Sequence, residues 1–311
     1  MSMLHHPAVQ SLVLPWVAAL LAMAVLGGWR PARSPRWAGL GAALGLLVAL
    51  VIFPGFEWPA ASRAQKFPWI VLLSVGVAVA SVAVLRVQDL RWPLWALGTA
   101  LWAMASIWLT GGGGGAPAFQ SVAWLLGGSA LMALVLLPGA SPPEAAQKPT
   151  PVAGQACISA GAVLAVVAAG QAAMAAMGGS LLIAQLAMAL AVVTGMLALW
   201  GWLAPDAPGL CSRPALMPLA LAWLALAQSL SATVAAGLLR SGLLALALCI
   251  PLALRRTGWA MRHPRWVPWL SVLLAAVPVA LALLPVWADG AIAPGGAGAD
   301  TDDPYYRSDW D

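Results

Sequence analysis

Residues 156–203 read ACISAGAVLAVVAAGQAAMAAMGGSLLIAQLAMALAVVTGMLALWGWL, a run of 48 residues without one charged side chain. A single helix of 40 or more residues would be about 60 Å long, twice the hydrocarbon thickness of a bilayer. The run must therefore fold back, and Gly178-Gly179-Ser180 is where it carries turn chemistry. Two antiparallel membrane helices follow, over 156–177 and 180–203. The same argument divides 215–254, where Arg240 is the only charge and Ser229 to Gly237 is the only available turn.

A lipid-crossing helix needs about 20 predominantly apolar residues. Applied outward from the first hairpin, that ruler places further spans at 12–29, 37–55, 68–85, 93–110, 120–138, 215–234, 237–254 and 266–287, ten in all. Composition requires such an arrangement. The chain is 62% hydrophobic and 8% charged, with a mean hydropathy of +0.89, whereas soluble domains carry about 25% charged residues. A water-soluble fold of 311 residues has a surface that needs polar cover, and this sequence cannot supply it. The expected fold is an all-α, polytopic transmembrane helix bundle with lipid as its solvent.

A net charge of +5 would point to nucleic acid in a soluble protein. Here the basic residues are scattered between spans and read as topology signals, so no nucleic-acid partner is expected. Met1 to Gln10 carries no Lys or Arg, so the first span reads as an anchor with its N-terminus outside rather than a signal peptide. Inside loops then hold Arg30, Arg33, Arg36, Arg86, Arg91, Lys148, Arg213, Arg255, Arg256, Arg262 and Arg265, against Arg63, Lys66, Arg240 and Arg307 outside. Eleven against four places both termini outside (N-out, C-out). Trp16, Trp58, Trp69, Trp92, Trp108, Trp202, Trp266 and Trp269 fall near span ends, where an indole sits at headgroup level. Arg outnumbers Lys 13 to 2 in a chain rich in Ala, Gly and Pro, the usage of a GC-rich bacterial genome, and the expected address is a bacterial inner membrane.

The polar, Pro-rich segment around Pro142 to Pro151 divides the spans five plus five. The domain reading is a first membrane half over 1–139, a cytoplasmic linker over 140–155, a second membrane half over 156–287, and an acidic, disordered outer tail over 288–311. Halves of five spans, if related, must be inverted repeats, as in many secondary transporters. In architecture the chain resembles compact five-plus-five permeases, a fold-level likeness that does not carry function.

Charge placement excludes several chemistries. All ten acidic residues and all three histidines lie outside the proposed hydrophobic cores. Proton relays, axial haem ligation by His, H-E-x-x-H proteolysis and intramembrane acid–base hydrolysis each need such groups within the bundle. No catalytic residue, cofactor or metal ligand is therefore expected, and the protein reads as not an enzyme. Cys157, Cys211 and Cys249 are too far apart to suggest a zinc site or a disulfide framework. Gly111 to Gly115 lacks the Lys and Ser or Thr of a phosphate loop and reads as an outer loop.

What remains inside is uncharged but polar: Gln171, Gln185, Gln228 and Ser231, with Ser106, Thr194, Ser229 and Thr233. An unpartnered amide costs several kcal/mol in hydrocarbon. These side chains must bond across helices as glue or line a solute path. Gln171 and Gln228 are expected near the midplane, and Gln185 near the outer side. Arg240 either snorkels to the interface or faces inward as an anion-selecting charge. Gly41-x-x-x-Gly45 and the Gly161, Ala165, Ala169, Ala173 stripe are small-residue faces for close helix packing, within the chain or against a membrane partner. Tyr305, Tyr306 and Trp310 among the tail aspartates offer a docking motif for a periplasmic partner. Two functions fit. One is a permease or facilitator for a neutral or weakly polar solute, and the other is a non-catalytic membrane subunit or scaffold of a larger complex.

Overall fold

A computed structural model describes residues 9–27, 35–84, 91–111, 118–136, 151–203, 213–231, 237–257 and 262–292. The helices are α1 (Leu14–Gly27, preceded by a π turn over Val9–Val13), α2 (Pro35–Ile52), α3 (Arg63–Val84), α4 (Arg91–Thr110), α5 (Ala118–Leu136) and α6 (Pro151–Met177). They continue with α7 (Leu181–Leu203), α8 (Arg213–Ser231), α9 (Gly237–Ala247), α10 (Ile250–Arg255) and α11 (Val267–Ile292). No strand occurs among the described residues. Nine stretches there are long and apolar enough to cross a membrane, α9 and α10 counting as one, and the apolar part of α2, Gly39–Ile52, is a shorter tenth. The protein is an all-α, multi-pass membrane helix bundle.

The turn that decides the fold is built as its sequence demands. α6 closes in a Schellman motif: Ser180 N–H donates to the Ala175 carbonyl at 2.8 Å and Gly179 N–H to the Ala176 carbonyl at 3.2 Å. Gly179 takes φ +78°, a conformation that costs an L side chain strain. Ser180 then accepts the first α7 bond, from Ala184 N–H at 3.0 Å. The second doubtful turn falls between Ser231 and Gly237, and 232–236 lie outside the described residues. The start of α9 returns so close to the end of α8 that a Cβ on Gly237 would stand 2.5 Å from the Ser231 Cα. Pro251 explains why α9 and α10 are separate: its ring removes the N–H that would bond the Ala247 carbonyl. The chain tightens there, Leu248 N–H bonding Ala245 and Cys249 N–H bonding Leu246.

Three boundaries differ from the sequence reading. α6 begins at Pro151, so the last part of the 140–155 linker is helical, because proline is well accommodated at the first helical position. α11 continues to Ile292, taking the first residues of the proposed tail, whose remainder lies outside the described residues. α3 begins at Arg63 rather than 68. Its start is a capping box in which Ser62 Oγ accepts from Gln65 N–H at 3.2 Å and Gln65 Oε1 accepts from Ser62 N–H at 2.9 Å.

The two halves interlock. α8, from the second half, packs against α2, α3, α4 and α5 of the first as well as α6, α7 and α9, and every residue from Ala215 to Ser231 is buried. The small-residue face of α2 is occupied within the chain, and that of α6 is in part. A Cβ on Gly41 or Gly45 would come within 2.6 Å and 2.3 Å of the α1 backbone at Met23 and Ala19. The Gly161–Ala165 stripe lies against Ala198 and Gly195 of α7. Of the two uses open to these faces, packing within the chain is the one these contacts show.

Candidate functional site

Buried polar contacts join the start of α3 and the end of α8 to the end of α4. Lys66, in the first turn of α3, is only 4% exposed. Its Nζ donates to the Trp108 carbonyl at 2.8 Å and lies 5.7 Å from the centre of the Trp108 ring. That carbonyl belongs to the last turn of α4, where the helix supplies no donor and its dipole favours a cation. Two residues earlier the Ser106 carbonyl accepts from Thr110 Oγ1 at 3.1 Å and from Gln228 Nε2 at 3.3 Å. α3 and α8 are thus both fastened to the end of α4. The sequence reading placed Lys66 in an outer loop, because the apolar run starts at Pro68 and a basic residue in front of it looks solvated.

None of the five residues singled out from sequence lines either of the grooves described below. Gln228 is 5% exposed and uses its amide N–H on α4 as glue, while its Oε1 has no partner among the described residues. Ser231 donates to the Gln228 carbonyl in its own helix at 2.8 Å. Gln185, on α7, is half-buried. Arg240 is 6% exposed within α9, so its side chain is enclosed by protein instead of snorkelling to the interface. Gln228 and Gln171 stand one turn and under two turns from the ends of α8 and α6.

Among the described residues Gln171 shares with Trp95, Thr99 and Trp124 a buried polar group without a hydrogen-bond partner, and it alone of these leaves both a side-chain donor and a side-chain amide acceptor unpartnered. It is 1% exposed, and neither its Nε2 nor its Oε1 has a hydrogen-bond partner among the described residues. By contrast the buried hydroxyls of Ser74, Ser81, Thr194, Ser229 and Ser271 all donate to carbonyls one turn back in their own helices. The helix carrying Gln171 packs on α7, α8, α9 and α11. Its neighbour Gly170 is pressed so tightly by Val279 and Leu244 that a Cβ would stand 2.6 Å from Val279 Cγ1. Trp223, buried on α8, likewise has an unpartnered indole N–H. Sequence inspection passed it over because it lies mid-span, away from the interfacial tryptophans.

Grooves open on the sides of the bundle, two of them lined by the described residues. One, of about 820 Å³, runs between α3 and α4 over Leu221 of α8, with Trp58, Trp69 and Trp108 among its lining residues. The other, of about 200 Å³, lies between α6, α7 and α11 and is lined by Ala162, Ala165, Gly195, Ala198 and bulkier neighbours. Among the described residues no three His, Cys, Asp or Glu side chains converge. No protein-family model matches the sequence, and no curated protein or solved structure matches it either.

Proposed function

We propose that the protein is a permease or facilitator for a neutral or weakly polar solute in the inner membrane of a bacterium, and that Gln171 is the group that meets the solute. The observation that carries this reading is the buried amide of Gln171 with donor and acceptor both unpartnered. Such a group costs about 1–3 kcal/mol in a protein interior, and buried polar residues in membrane helices mark pathways. A primary amide offers both a donor and an acceptor, which suits an uncharged solute carrying hydroxyl or amide groups. No step of this activity is catalytic.

The test is flux in proteoliposomes, with glycerol and urea as probes and stopped-flow light scattering as the readout. Wild-type protein is expected to speed solute entry over empty vesicles, and Gln171→Leu to abolish that gain while reconstituting at the same level. Wild-type vesicles that match empty ones for both probes would remove the support for a facilitator of small neutral solutes. Equal flux from Gln171→Leu would remove Gln171 from the path.

A further inference from the structure

The α3–α4 groove is too large and too apolar to be an ordinary packing defect, and its volume of about 820 Å³ falls in the range of ligand sites. Its wall is graded. Leu72, Leu73, Leu101 and Met104 give it an aliphatic length, whereas Trp58, Trp69 and Trp108 crowd one end. That end is held in place by Trp69, which meets Phe56 edge-on at 5.0 Å and Trp58 at 5.9 Å and donates its indole N–H to the Glu57 carbonyl at 3.2 Å. Beside the tryptophans is the buried Lys66 ammonium, 5.7 Å from the Trp108 ring. An ammonium has three donors, and among the described residues only the Trp108 carbonyl accepts one. Arg63 stands one turn before it on α3. The one acid in this loop, Glu57, turns its carboxylate to the Gln65 amide. An aliphatic slot ending in interfacial indoles, with the Lys66 cation next to one of them and a second basic residue one turn away on α3, matches an amphiphile with a long chain and an anionic head.

We propose that this groove is a binding site for an acidic phospholipid, with one acyl chain laid between α3 and α4 and the phosphate met by Lys66 and Arg63. The lipid supplies the counter-charge that Lys66 lacks among the described residues, and its chain covers the exposed Met104 and Ile107 flank of α4. The site is separate from the solute path proposed for Gln171 and stands or falls without it.

Native mass spectrometry of the full chain in mild detergent tests this, with phosphatidylglycerol and phosphatidylcholine of identical chains added in turn. Wild type is expected to retain phosphatidylglycerol about fivefold better, the ratio that one basic residue near an anionic headgroup is worth. Lys66→Gln keeps a donor for the Trp108 carbonyl while deleting one of the two charges, and is expected to lower that ratio, whereas Lys66→Arg restores it and Lys66→Gln combined with Arg63→Gln brings it close to one. Met104→Trp fills the slot from its exposed side and is expected to lower retention of both lipids. Glycerol phosphate, which has the head without the chain, is expected not to compete. Equal retention of the two lipids by wild type would overturn the proposal, as would an unchanged ratio in a Lys66→Gln protein that elutes and melts like wild type. Displacement by glycerol phosphate would overturn it as well, leaving an anion site with no lipid specificity.

Discussion

Gln171 and Gln228 are the same residue type on adjacent buried helices, yet their surroundings give them opposite energetic signs. Gln228 spends its amide on the Ser106 carbonyl of α4, an interhelical bond worth about 0.6–2 kcal/mol in a membrane bundle. Gln171 spends its amide on nothing among the described residues. Gln228→Leu is therefore expected to lower thermal stability in detergent by about that bond. Gln171→Leu is expected to leave stability unchanged or raise it by about 1–3 kcal/mol, because the change keeps the volume and deletes an unsatisfied polar group. A thermal shift series on the two variants reads the contrast directly, and a stability loss in Gln171→Leu would assign it to glue. Sequence alone could name both glutamines as buried, since neither can sit comfortably in lipid. It could not say which one is partnered, because the partner of Gln228 is a backbone carbonyl 122 residues away.

Helix contacts explain which small residues the fold cannot give up. Gly45 packs against the α1 backbone so closely that an added Cβ would stand 2.3 Å from the Ala19 Cα and 2.5 Å from its N. Backbone cannot turn aside as a side chain can, so Gly45→Ala is expected to cost about 1–3 kcal/mol as overpacking, read as a lower melting temperature. Gly76, where a Cβ meets nothing within 4 Å, provides the control, and Gly76→Ala is expected to be neutral or slightly stabilising. Equal melting of the two variants would mean that the α1–α2 crossing is looser than the coordinates place it. Gly128 shows the same constraint from a side chain, since its missing Cβ makes room for the Trp102 indole, whose N–H bonds the Trp124 carbonyl at 3.0 Å. The spacing of Gly41 and Gly45 announced such a face in the sequence. Gly128 did not announce itself, because no periodic pattern points to the ring that needs the space.

At the scale of the whole molecule, length and hydropathy made the ten apolar stretches readable, including the two hairpins hidden in nearly uncharged runs. What they could not supply was the arrangement. α8 lies among the helices of both halves, and in a composition of Ala and Leu nothing distinguishes a helix buried all round from one facing lipid. Topology remains a charge argument with its own check. An engineered cysteine at Gly295 is expected to react with an impermeant thiol reagent in intact cells, and one at Pro149 to stay unlabelled; the reverse pattern would invert the orientation. The central claim, that Gln171 faces a solute path, has a more direct probe. In a background with Cys157, Cys211 and Cys249 replaced, Gln171→Cys should be modified by a small hydrophilic methanethiosulfonate in reconstituted membranes. Ala172→Cys, on the same helix and also buried but turned about 100° from Gln171, should stay protected as a packed core position. Labelling at 171 with protection at 172 is the predicted result, and protection at both positions would contradict the claim.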